Sequence, residues 1–207
     1  MGPQGSGKGT QAELLSAKLG IPTVSMGQLL RNEISKKTTL GKKVEKAVTS
    51  GALVPQEYTD QLISKEFKKT KYKKGIILDG YPRSLSQAQF LNKLVDIDYL
   101  IIIDIPQKET IKRLGGRRVC QCGETYHIIY KKPKKDMLCN KCGKKLIKRK
   151  DDYAEAIKQR LRIYQKESKP LVAYFKKKGK YIKVDGQASI KQVFSRLLKS
   201  LSAKGIK

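Results

Sequence analysis

The segment Gly2-Pro3-Gln4-Gly5-Ser6-Gly7-Lys8-Gly9-Thr10 constrains this chain more than any other. Its core is a glycine, four residues, then Gly-Lys. A loop so rich in glycine brings backbone N–H groups close enough to wrap a phosphate. The lysine then reaches the outer phosphates, and a following helix adds the positive end of its dipole. Ala12, Leu15 and Leu19 recur at helical spacing up to Gly20, which supplies that helix. Gly9 stands where Ser or Thr usually follows the lysine, with Thr10 next. Gly5, Ser6, Gly7, Lys8, Gly9 and Thr10 are therefore expected to bind a nucleoside triphosphate. The loop alone leaves the reaction open.

The rest of the chain predicts an open α/β sheet. Residues 21–24 read as short and extended, 25–50 as helical and polar, 51–55 as a break, and 56–68 as a further helix. The apolar runs 75–79 and 99–105 read as buried parallel strands covered by helices on both faces. A third strand, 180–184, is shorter and more exposed. The stripe Ile157, Leu161, Tyr164 marks a helix between strands, and such alternation implies an α/β fold. The stretch 117–152 is rich in Cys, Gly and Lys and reads as an insertion with its own fold.

Lys and Arg number 46 against 18 Asp and Glu, a net charge of +28. The lysines are spread along the whole chain and aromatics are only 7%, so solvated lysine-rich faces are expected, with no nucleic acid as the main partner. No apolar run reaches the ~18 residues of a membrane span. The start, Met1-Gly2-Pro3-Gln4-Gly5, lacks the basic and apolar regions of a signal peptide. A cytoplasmic location is the default. There the paired cysteines Cys120-Gln121-Cys122 and Cys139-Asn140-Lys141-Cys142 suggest a metal before disulfides. Four thiolates fit a closed tetrahedral zinc site, although the first knuckle is one residue shorter than usual. The charge and the cysteines together also suggest a reading of another class, a basic zinc-ribbon nucleic-acid-binding protein. That reading leaves the phosphate loop unexplained.

The loop, continued through Gln11, resembles the form found in adenylate kinases, and the similarity runs through nearly the whole chain. Asp79-Gly80-Tyr81-Pro82-Arg83 resembles that family's Asp-Gly-Phe/Tyr-Pro-Arg signature at a strand end, where ligands of open α/β sheets bind. The resemblance implies a P-loop nucleoside-triphosphate-hydrolase-like parallel sheet with helices on both faces. Residues 1–24, 55–116 and 153–207 would be the core, 25–54 a helical AMP-binding insertion, and 117–152 a lid. It implies the reversible transfer of a phosphoryl group from MgATP to AMP, giving two ADP.

The same resemblance assigns residues. Arg83 would hold the AMP phosphate beside Gly80, Asp79 would order Mg²⁺ through water, and Gln87 would read the adenine edge. The segment from Val24 to Arg31 resembles the family's Ser-Thr-Gly-Asp-x-Leu-Arg, with Arg31 a second clamp on AMP. Met26 and Gln28 depart from it, which opens the alternative of a broader nucleoside-monophosphate kinase. Leu53 and Val54 match the segment lining the AMP base. Arg113 would stack on the ATP adenine. Arg117, Arg149 and Arg160 would contact phosphates, the last two on the AMP side as well. Lys8, Arg83, Arg117, Arg149 and Arg160 would be catalytic. Cys120, Cys122, Cys139 and Cys142 would carry the structural Zn²⁺ of a family-type lid, which Gly123, Tyr126, His127 and Pro133 also match. His127 is expected to be a lid or surface residue.

The chemistry accounts for the arginines. A phosphoryl group in flight spreads negative charge over its equatorial oxygens, and fixed guanidinium forks neutralise it without reorganising. Closing lids would keep out water. In this fold a strand precedes the phosphate loop in mid-sheet, yet here the loop begins at residue 2. Unpaired neighbours would cost ~1–3 kcal/mol per buried group, against a typical net stability of ~5–15 kcal/mol. A true start a few residues upstream is therefore expected; a chain starting at Met1 would have a gapped sheet.

Overall fold

A computed structural model describes residues 1–69, 72, 74–149 and 151–206; Lys207, the last residue of the expected core, lies outside them. Gly7, at φ 87°, turns the phosphate loop into α1 (Lys8–Leu19). That left-handed conformation suits glycine alone at no steric cost. Ala12 and Leu15 are buried, as their helical spacing predicts.

The parallel strands form two separate pairs. β1 (Thr23–Ser25) pairs with β2 (Ile77–Asp79), setting Ser25 opposite Asp79. β3 (Leu100–Asp104) pairs with β6 (Tyr181–Asp185), setting Asp104 opposite Asp185. Among the described residues no ladder joins β2 to β3. Met1 lies along β3 instead: its amine donates to Ile101 O at 2.5 Å and its carbonyl accepts from Ile103 N–H at 2.9 Å. The outcome for β2 is a correction to the sequence reading. The ladder covers only Ile77–Asp79, and these residues are half-buried; among the described residues β2 pairs with β1 alone. β3 is buried at Leu100, Ile102 and Ile103, as expected.

Helices cover both faces. On one, α1 and α8 (Ile190–Ser202) pack Leu15, Val193, Leu197 and Leu201 against Ile103, Ile182 and Val184. On the other, α5 (Leu85–Leu91) and α7 (Ala154–Lys177) pack Ala88, Leu171 and Phe175 against Leu100 and Ile102. Each such Val, Leu, Ile or Phe side chain, fully buried, contributes about 1.5–3 kcal/mol before entropy is counted.

The stretch 25–50 is helical but not continuous. α2 (Met26–Ser35) ends before Lys37, whose φ is 53°, and Thr38 caps α3 (Thr39–Ser50) by accepting from Gly41 N–H at 3.0 Å. Pro55 then precedes α4 (Gln56–Phe67). α6 (Gln107–Gly115) leads into the lid, where β4 (Arg117–Val119) and β5 (Thr125–His127) pair antiparallel over a small core of Cys120, Tyr126, Cys139 and Leu146. Among the described residues no helix is long and apolar enough to cross a membrane.

Candidate active site

A cavity of about 780 Å³ opens at the carboxyl ends of the parallel strands, walled by the phosphate loop, by residues of α2 and α7, and by the stretches 51–53 and 123–131. Every predicted phosphate-loop binder, from Gly5 to Thr10, lines it. Lys8 Nζ donates to Pro3 O at 3.2 Å. Although its tip reaches the cavity, protein surrounds it. Desolvation brings its pKa down to about 7; Asp79 opposes the shift, while Arg83, Arg160 and Arg117 add to it. Asp79 ends β2 with one carboxylate oxygen accepting from Ser25 Oγ at 3.4 Å and the other buried without a hydrogen-bond partner.

The arginines expected on phosphates share two carboxylates. Arg149 forks onto Asp151 with bonds of 2.8 and 2.6 Å, and Arg160 donates to the same side chain at 2.8 Å. Arg117 Nε donates to Asp152 at 2.6 Å, and its terminal N–H closes a second bond to that carboxylate. Burial alone would raise the Asp151 carboxyl, but Arg149, Arg160 and Arg117 together hold it below the ordinary carboxylate range. Burial pulls Arg160 down to about 9 against the pull of Asp151. At Arg149 the bidentate bond to Asp151 outweighs burial and the net shift is upward. Sequence reasoning passed over Asp151 and Asp152. The signal was an acidic pair directly after an arginine-lysine pair, in a chain short of acids.

On the insertion side, Arg31 lines the cavity and donates to Gln28 Oε1 at 3.0 Å, its pKa lowered to about 10 by burial and by Arg149. Arg83 donates through Nε to Gly80 O at 2.9 Å, next to the cis peptide Tyr81–Pro82. Leu53 and Gly80 are on the wall; Met26, Val54 and Gln87 are not. Met26 and Val54 belong to the apolar core of the insertion, with Leu30, Val44 and Ile63. Gln87 is buried, accepting from Arg83 N–H at 2.7 Å and donating to Thr59 Oγ1 at 3.2 Å.

On the lid side, Arg113 is steadied by Glu109 at 2.8 Å and Gly186 O at 3.0 Å, with its guanidinium 5.5 Å from the centre of the Tyr130 ring. His127 ends β5 with both ring nitrogens engaged. Nδ1 accepts from Ile129 and Tyr130 N–H, so the proton sits on Nε2, which donates to Arg113 O at 3.0 Å. Burial lowers its pKa. The lid also reaches α1, where Lys131 stands 3.9 Å from Glu13.

The four cysteine sulfurs lie within 4.8 Å of one another, with Cys120 and Cys142 at 3.3 Å and Cys122 and Cys139 at 3.6 Å. Zn–S bonds of ≈ 2.3 Å in a tetrahedron would set sulfurs about 3.8 Å apart, so the short first knuckle does not prevent a four-sulfur cage. Tyr126 O–H accepts from Asn140 N–H at 2.9 Å and thus has its own proton for Cys139 Sγ, 3.6 Å away. Burial would raise the Cys139 thiol, but Tyr126 and the N–H groups of Cys142 and Lys141 bring it down to about 6.

Known proteins resemble the chain over its length. A model of the adenylate kinase family matches residues 1–180. An adenylate kinase of Caldicellulosiruptor saccharolyticus is 38% identical over 99% of this chain and 98% of its own. One from Archaeoglobus fulgidus is 41% identical over 95% of this chain and 94% of its own. One from Caldanaerobacter subterraneus subsp. tengcongensis is 42% identical over 97% and 94%. Similarity of this extent runs through the phosphate loop, the insertion and the lid alike, and the chain belongs to the adenylate kinase family.

Proposed function

We propose that the cavity holds MgATP and AMP together and transfers the terminal phosphoryl group between them. The bond from the γ-phosphorus to its bridging oxygen breaks, an AMP phosphate oxygen bonds to that phosphorus, and two ADP result. The observation that carries this reading is the convergence of Lys8, Arg31, Arg83, Arg117, Arg149 and Arg160 on one cavity that the phosphate loop also lines. Two polyanions and their transferring group need that many fixed cations.

In this scheme Lys8 and the loop N–H groups hold the ATP phosphates, and Arg113 backs the adenine. Arg31 and Arg83 clamp the AMP phosphate, and Gln87 reads its base. Arg117, Arg149 and Arg160 meet the charge that develops in flight, kept in place by Asp151 and Asp152. The unpartnered, buried oxygen of Asp79 fits a magnesium ion arriving with ATP, held through water. Bound Mg²⁺ would neutralise phosphate charge. The cysteine cage fits Zn²⁺, which would tie the two knuckles of the lid. The lid residues above the cavity exclude water, which would otherwise take the phosphoryl group.

ADP formation from MgATP with AMP, CMP, UMP or GMP tests this reading. ADP made fastest with AMP is expected. Equal rates would favour a broad monophosphate kinase, and a folded chain without turnover would overturn the proposal.

A further inference from the structure

Behind Arg83 lies a hydrogen-bond relay with no part in the phosphate chemistry. Gln87, on α5, is 2% exposed and Thr59, in the first turn of α4, is 4% exposed. Gln87 Oε1 accepts from Arg83 N–H, and Gln87 Nε2 donates to Thr59 Oγ1. Thr59 gives its own proton to Gln56 O at 2.8 Å. Arg83 N–H can only donate, and Thr59 Oγ1, with its proton committed, can only accept. The two partners therefore fix which end of the amide is oxygen and which is nitrogen. Reversal would set N–H against N–H at Arg83 and oxygen against oxygen at Thr59. The turn carrying Thr59 is itself held, because Asp60 accepts from Tyr81 O–H at 2.8 Å and from Gln56 Nε2 at 2.9 Å.

A primary amide has two acceptor lone pairs and two donor hydrogens. Gln87 has spent one of each on protein, leaving one of each, buried and in fixed order. Adenine and cytosine offer an amino group beside an unprotonated ring nitrogen. Guanine and uracil offer an oxygen beside a ring N–H, the same pattern reversed. An amide free to turn over would serve both kinds.

We propose that Thr59, by holding the Gln87 amide unreversed, makes the acceptor site select amino bases over oxo bases. Thr59 is a positioning residue, acting through Gln87 without touching the nucleotide. The inference rests on the reading above that the acceptor is a nucleoside monophosphate whose base meets Gln87.

The test compares the full chain with Thr59→Val, which keeps the shape and loses the acceptor, and Thr59→Ser, which keeps the acceptor. For each, kcat and KM with AMP, CMP, GMP and UMP, dissociation constants for the four by calorimetry, and the melting temperature are measured. Loss of one neutral hydrogen bond predicts that Thr59→Val narrows the preference for AMP over GMP, and for CMP over UMP, by about tenfold, mainly through KM. Thr59→Ser should restore the parent's ratios. Unchanged ratios in Thr59→Val would overturn the proposal. So would a loss shared equally by all four acceptors that follows the melting temperature, since that is a structural effect. Failure of the kinase reading would show separately, as a parent chain that turns over no acceptor.

Discussion

Arg117 begins β4 and Asp152 stands two residues before α7, and the two are joined by a bidentate bond with the Asp152 side chain wholly buried. The pair ties the lid's two stems at their base and aims Arg117 at the cavity. Removing one partner of a buried pair leaves the other uncompensated, at about 3–5 kcal/mol. Asp152→Ala should lose about 3 kcal/mol in urea unfolding, Arg117 keeping some access to water. Turnover should fall by more than the unfolded fraction explains. Unchanged stability would show that the stems are held by other contacts.

Lys8 gives the protein a proton-linked binding step. Its ammonium titrates near 7 in the protein alone because of desolvation, though Asp79 resists. A polyphosphate beside it favours the charged form and moves the pKa back up. ATP binding between about pH 7 and pH 10 should therefore take up a proton, visible by calorimetry in buffers of different ionisation heat. Lys8→Met should abolish the uptake and lower turnover by about 10²–10³-fold. Without nucleotide, the unfolded chain holds this proton up to its ordinary lysine pKa and the folded chain releases it near 7. This group's contribution thus makes stability rise as pH climbs through that window.

Tyr126 is on the cavity wall, and its hydroxyl stands 3.6 Å from Cys139 Sγ. Tyr126→Phe keeps the ring and removes the bond to sulfur. Outer-shell partners of this kind are worth about 10–100-fold in metal affinity. Chelator competition should show zinc leaving the variant that much more readily, and the parent should carry about one zinc per chain, as a closed four-sulfur site requires. A parent that binds no zinc would refute the metal reading of the lid.

Gly51 ends α3 at φ 77°, and a Cβ there would stand 2.6 Å from Ala156 O on α7. Gly51→Ala adds both a collision and backbone strain of order 1–3 kcal/mol. The insertion should be pushed from α7, so KM for AMP should rise more than KM for ATP. Equal changes in both would mean that the damage is global.

Much of this was legible in the sequence for local reasons. The phosphate loop and the strand over 100–104 announce themselves through residues adjacent in the chain, and so do the two cysteine knuckles. What was hidden depends on partners far away. The extent of β2 depends on which strand lies beside it, and the alternation of its side chains carries no trace of that. The resemblance implies that Met26 meets AMP, yet the side chain is buried in one apolar cluster with Leu30 and Val44. Thr59 is one hydroxyl in a helical stretch until Gln87, far along the chain, reaches it. Asp151 and Asp152 carry no mark of their role in the sequence, because the arginines they hold, Arg117 and Arg160 among them, come from other elements.

α7 begins just past the end of the lid, backs the last turn of the insertion at Ala156, carries Arg160 into the cavity, and buries Leu171 and Phe175 under the sheet. It is one helix of 24 residues, about 36 Å along its axis, with Pro170 inside it. The last turn of α3, the end of the 117–152 stretch and the sheet thus meet along a single helix, so a displacement of α7 at any one of them is felt at the other two.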